Sequence, residues 1–223
     1  MKNSTLQQIS FCSLLLPFLG TTAFDATQRF HSGKNQFGGA RHASIMPSPE
    51  TFSSAYLPYQ GDQPSEALPE IFVPQILPKG MNEEVLWVPQ TDCVSFRPLC
   101  LCTSSGYYVN LLRVRGAGIL SRHRHPGPVH GHVLKGRWKY LEHDWEANEG
   151  SYVFEPPGEI HTLVVPEGVT EMITLFHVTG ALLYCDVDGR ITGAEDVFTK
   201  LKLAKEHYTK AGLGEDFVNQ FVR

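Results

Sequence analysis

The stretch GILSRHRHPGPVHGHVLKG, Gly118 to Gly136, followed by GSYVFEPPGEIH, Gly150 to His161, decides how this chain reads. His123 and His125 stand two residues apart. In a strand, residues i and i+2 point to the same side, so both imidazoles turn into one interior and meet one ion. His161 lies downstream, beyond an apolar run and the turn Pro156-Pro157-Gly158, where a neighbouring strand completes the site. Imidazole-only sites suit iron, zinc, nickel or copper and are poor for magnesium and calcium, which prefer oxygen. Three histidines with open positions fit a hydrolytic zinc or a ferrous oxygenase equally well.

Short apolar or alternating runs surround the two motifs. They cover Glu84 to Val88, Val94 to Cys102, Tyr107 to Arg115, Gly131 to Lys135, Arg137 to Glu142, Ser151 to Glu155, His161 to Val165, Thr170 to Thr179 and Ala181 to Asp186. Turn chemistry at Ser104-Ser105-Gly106, Gly136, Glu149-Gly150 and Asp188-Gly189 separates them, which is the texture of an antiparallel barrel or sandwich. Glu195 to Lys210 then places Val197, Leu201, Ala204 and Tyr208 at helical spacing, with Gly212 where a helix stops. This predicts an amphipathic helix packed on the β-structure.

Upstream, residues 24–66 are rich in Ser, Gly, Pro, Gln and Asn without a sustained period, so 1–66 reads as a flexible leader and 67–223 as the folded domain. Ile9 to Leu19 is an apolar run behind a single Lys2, which roughly fits a secretory signal and is too short to span a bilayer. Five cysteines, at 12, 93, 100, 102 and 185, give an odd count without a repeating spacing, against a disulfide framework. The reading therefore leans to a cytoplasmic protein, with secretion as the alternative. A formal net charge of −4, with Lys and Arg scattered, leaves no basic stripe for nucleic acid. No segment approaches the ~20 consecutive apolar residues of a membrane span.

Three further residues are candidates for chemistry. Glu155 closes a strand directly before Pro156 and, buried beside the metal, would serve as a general base. His130 sits next to the first motif with Gly127, Pro128 and Gly131 around it, as in a pocket loop. Alternation places Trp138, Tyr140 and Glu142 on one side; facing inward, the Tyr140 hydroxyl would bind a substrate oxygen and Trp138 would wall the pocket. His132, His143 and His177 read as surface or core histidines.

The two motifs resemble the paired motifs of the cupin superfamily, which implies a mainly β fold, a single jelly-roll antiparallel β-barrel closed by the C-terminal helix. One departure counts: near 129–130, where many cupins carry a glutamate ligand, this chain has Val129 and His130. Either three histidines suffice or His130 replaces the carboxylate; three is the preferred reading. From about Glu70 onward the chain further resembles the 2,4'-dihydroxyacetophenone dioxygenase family, through WVPQ (87–90), FRPL (96–99), NLLRVR (110–115), LSRHRHPGPVHGHVLKG (120–136), YLEHDW (140–145), EGSYVFEPPGEIHTLVVP (149–166) and DVFTK (196–200). That resemblance implies Fe(2+) on His123, His125 and His161. It implies a small aromatic α-hydroxyketone as substrate, cleaved with O2 to an aryl carboxylate and formate. Glu155 or His130 would take a substrate proton and Tyr140 would steady the carbonyl oxygen. It also implies a homo-oligomer. An oxygenase or isomerase acting on another aryl ketone or polyketide, and a zinc-binding regulatory cupin without turnover, stand as alternatives.

Overall fold

The structure, a computed structural model, describes residues 57–77 and 81–223; the signal reading and residues 1–56 of the expected leader 1–66 lie outside the described residues. The chain divides into two units, 1–67 and 68–223, and the second contains all the regular structure described below.

Among the described residues the chain forms β1 (Val88–Pro89), β2 (Val94–Cys102), β3 (Tyr107–Arg115), β4 (Gly118–Arg124), β5 (Val129–Lys135) and β6 (Arg137–Tyr140). It continues through β7 (Ala147–Asn148), β8 (Tyr152–Glu155), β9 (Ile160–Val165), β10 (Glu171–Thr179), β11 (Ala181–Cys185), β12 (Ile191–Asp196), one α-helix, α1 (Val197–Lys210), and a closing 3-10 helix, Glu215–Phe221. All strand pairs are antiparallel. They assemble as β1-β2-β3-β10-β5-β8 and β12-β11-β4-β9-β6-β7. The expected mainly β jelly-roll is present, but the two sheets face each other as a sandwich and do not close into a barrel. No helix among the described residues is long and apolar enough to cross a membrane.

Alternation decides which side chains the sheets share. On β3 the inward set is Tyr108, Asn110, Leu112 and Val114, while Leu111 on the outer face is buried under Trp87, Leu99 and Ile173. On β6 both Trp138 and Tyr140 are fully buried, as their inward alternation requires. Glu142 does not share that face, because the strand ends at Tyr140; instead its carboxylate accepts from the Thr162 amide and hydroxyl at 2.7 and 2.8 Å.

The sequence reading differs from the structure at other places too. The run Glu84 to Val88 is strand only at Val88, since Met81–Leu86 is a 3-10 helix. Glu84 accepts from Arg113 at 2.9 and 3.0 Å and from Arg115 at 2.7 Å, which draws this segment across the outer face of the first sheet. Glu195 does not start the helix, since β12 runs to Asp196. The Asp196 carboxylate then caps α1 by accepting from the Thr199 amide at 2.8 Å. The stop at Gly212 is as expected, with φ at +81°.

Gly136 turns β5 into β6 with φ at +71°, and a Cβ there would stand 2.5 Å from the Glu171 carbonyl oxygen. Left-handed backbone alone costs about 1–2 kcal/mol for other residues, and the contact adds to it. Gly136→Ala is expected to lower the urea-unfolding free energy by at least about 2 kcal/mol. An unchanged midpoint would show that the turn relaxes freely.

Candidate metal centre

β4 and β9 pair so that His123 stands directly opposite His161, which brings the two side chains together across the ladder. His125 follows the end of β4 on the same side. Ring centroids lie 4.9 Å apart for His123 and His125, 4.7 Å for His123 and His161, and 5.9 Å for His125 and His161. One ligand nitrogen from each falls within 4.8 Å of the others, and all three residues are buried. The structure thus brings together the three histidines read as metal ligands.

The surrounding hydrogen bonds orient two of the rings. His125 Nδ1 lies 3.0 Å from the Ala181 carbonyl oxygen, and His123 Nδ1 lies 3.3 Å from the carbonyl oxygen of Ser121 and 3.1 Å from its hydroxyl. A carbonyl only accepts, so each Nδ1 carries the proton and each Nε2 keeps its lone pair for an ion. Tyr140 stacks on His161 at 3.9 Å, 10° from parallel. Burial, then the neighbouring imidazoles, holds His123 well below the usual histidine range, and His161 is lowered to about 4, mainly by burial. Neutral imidazoles are the form that ligates metal.

Glu155, at the end of β8, is 3% exposed. Its Oε1 accepts from the Tyr140 hydroxyl at 2.7 Å, while Oε2 stands 3.6 Å from His125 Nε2 and 3.5 Å from His161 Nε2. Since the imidazoles are neutral these approaches are not ion pairs. Burial raises the carboxyl to about 7, against the opposing hydrogen bond from Tyr140. Glu155 Oε2 and both ring nitrogens of His161 are buried without a hydrogen-bond partner. Buried polar atoms are rarely left so, and a cation among them would complete the set. The residues present therefore fit a transition-metal ion held by His123, His125 and His161, with Glu155 beside it.

A cavity of about 150 Å³ opens beside the centre, bounded by His123, His125, Glu155 and Tyr140 and walled by apolar residues that include Leu163 and Phe176. Not every candidate reaches it. On β5, Val129 and Gly131 are buried, so His130 turns outward; its Nδ1 is 2.8 Å from the Tyr152 hydroxyl and its ring lies 5.3 Å from Phe154. Strand alternation removes His130 from the proton-transfer and ligand roles read for it. Tyr140 is in place, but its hydroxyl is given to Glu155 and so aims that carboxylate. Trp138 packs in the core, its Nε1–H donating to Thr174 Oγ1 at 3.0 Å. His132 is exposed, and His143 pairs with Glu159 at 3.1 Å.

The sequence reading missed the far wall of the cavity, which includes Asn110, Tyr184, Glu195 and Lys200. Lys200 was the hardest to foresee. It sits on a helix among polar neighbours, yet it is 3% exposed, ion-paired with Glu195, hydrogen-bonded to Gln90 Oε1 at 3.1 Å, and its Nζ lies 4.2 Å above the Phe96 ring. Only its place between Thr199 and Leu201, close to the buried positions Val197 and Ala204, hinted at it.

Residues 81–183 match the protein family described as the ChrR cupin-like domain. Similar solved structures include an RmlC-like cupin protein from Ralstonia eutropha, 28% identical, with a TM-score of 0.53 over 57% of this chain and 83% of the other. An acetylacetone dioxygenase from Acinetobacter johnsonii is 15% identical, with a TM-score of 0.51 over 63% of this chain and 97% of the other. At that identity the likeness shows the fold alone. No curated protein matches the chain. The fold is cupin-like, and it carries a buried three-histidine centre suited to a metal ion.

Proposed function

We propose that this chain is a non-haem Fe(II) dioxygenase that cleaves the bond between the carbonyl and hydroxymethyl carbons of an aromatic α-hydroxyketone. The observation that carries the reading is a small apolar-walled cavity lined by His123, His125 and the buried Glu155 carboxylate, beside a centre that His161 completes. A solved protein of this fold is an acetylacetone dioxygenase, so the scaffold hosts oxygen chemistry on a ketone.

The reaction balances without a further reductant: ArCOCH2OH and O2 give ArCOOH and HCOOH. Ferrous iron held by His123, His125 and His161 would supply Lewis acidity and the means to react with O2. The rest falls to the chain's own residues. Glu155 Oε2, the oxygen without a hydrogen-bond partner, takes the proton from the hydroxymethyl carbon. Tyr140 fixes that carboxylate through Oε1, so the accepting oxygen stays aimed at the centre. Leu163 and Phe176 pack against the aryl ring and exclude water.

The test is oxygen uptake by anaerobically iron-loaded protein given 2,4'-dihydroxyacetophenone, with the products identified. Formate and 4-hydroxybenzoate in equal amounts support the reading. Glu155→Gln is expected to lower turnover by about 10²–10⁴-fold while iron content stays at the wild-type level; normal turnover in that variant would remove Glu155 as the base. An imidazole-only donor set suits zinc equally well, which favours a second reading as a zinc-binding cupin without turnover. Purified protein that holds zinc and takes up no oxygen after iron exchange would decide for it.

A further inference from the structure

We propose that Asn110 sets the ligand specificity of the cavity, its side-chain amide taking a hydroxyl group carried on the ligand's ring. This rests on the proposed function only in treating the cavity as the ligand site. Asn110 lies on the inward face of β3 between Tyr108 and Leu112, 3% exposed, and it lines the same cavity as His123 and His125. Its Oδ1 is buried and has no hydrogen-bond partner.

Its nearest neighbours in the sheet do not supply one. Across the ladders Asn110 is flanked by Pro98 on β2 and Phe176 on β10, neither of which offers a polar side-chain atom. The polar cluster on the same wall is already satisfied internally: Gln90 Nε2 donates to Glu195 Oε2 at 2.6 Å, and Lys200 donates to Glu195 and to Gln90 Oε1. No side chain of the described residues bonds Asn110 Oδ1, which leaves it for what occupies the cavity. A hydroxyl both donates and accepts, so it pairs with either end of the amide. A volume near 150 Å³ with mainly apolar walls is of the size that holds a single benzene-like ring. The metal centre and Asn110 thus read different parts of one small ligand.

Two pairs of probes test this in the full chain. Metal-free protein is titrated with 4-methylphenol and with 1,4-dimethylbenzene, which match in size and carry no metal-chelating group. The wild type is expected to bind the phenol at least about tenfold more tightly, because a site built to hydrogen-bond a hydroxyl rejects the analogue lacking it. Asn110→Leu should abolish that preference and unfold at the same temperature as the wild type or higher, since it removes an unpartnered amide. Equal binding of the two rings, binding of neither, or a preference that survives in Asn110→Leu overturns the proposal; a cavity water satisfying the amide would give equal binding. Iron-loaded protein is then given 2-hydroxyacetophenone with and without a ring hydroxyl. Phenol selectivity without turnover of either ketone keeps Asn110 and discards the dioxygenase, whereas turnover indifferent to the ring hydroxyl, with the phenol pair unresolved, does the reverse.

Discussion

His161→Ala is expected to lose on the order of 100-fold or more in affinity for Fe(II), and with it any turnover. Loss of an outer partner to a metal-binding histidine already costs about 10–100-fold, and loss of a ligand costs more. Three observations make this the most sensitive position. His161 is the most buried of the three, 1% exposed; both its ring nitrogens lack a partner in the protein; and its ring is held against Tyr140 at 3.9 Å. Among the described residues nothing else satisfies a polar ring placed so. Metal content after anaerobic loading and dialysis gives the result directly, and far-UV circular dichroism shows whether the variant stays folded. His132→Ala is the control, since His132 belongs to the same histidine-rich stretch but is exposed on the outer face of β5. If His161→Ala, still folded, held as much iron as the wild type, the three-histidine centre would not be the metal site.

Lys200→Ala is expected to destabilise the chain by about 3–5 kcal/mol, the usual result of removing one partner from a buried ion pair. Lys200 and Glu195 are both buried, 3% and 7% exposed, so the loss leaves Glu195 without its counter-charge, held only by Gln90 at 2.6 Å. In a domain of this size the melting temperature should fall by about 10 °C. The double variant Lys200→Met, Glu195→Gln should recover most of it, because it removes both charges and keeps the volume. Urea unfolding of the three chains settles the matter. A single variant within about 1 kcal/mol of the wild type would show that Glu195 is neutral or reached by water. The pair also joins β12 and α1 to the cavity wall, so its loss should be felt in ligand binding as well as in stability.

The histidine spacing was readable because a strand's period of two is a local property: His123 and His125 had to share a side wherever β4 went. The same rule placed Trp138 and Tyr140 on one buried face. It failed for His130 and Glu142 through boundaries alone. The first belongs to a strand that begins at Val129 and turns it outward, and the second lies past the end of β6. Boundaries depend on which residues find ladder partners, and partners come from distant parts of the chain. Glu84 shows the same limit, since its segment bends to meet Arg113 and Arg115 some thirty residues on.

By itself the sequence determined the mainly β class, the helix ending before Gly212, and the three histidines that converge, each through a short-range pattern of alternation or turn chemistry. Tertiary structure alone decided that the sheets form an open sandwich, that Tyr140 spends its hydroxyl on Glu155, and that Asn110 and Lys200 border the cavity. Those facts are set by packing between strands far apart in the chain. A polar side chain becomes a buried, unpaired or paired group only when its neighbours are known, and a linear pattern does not name them.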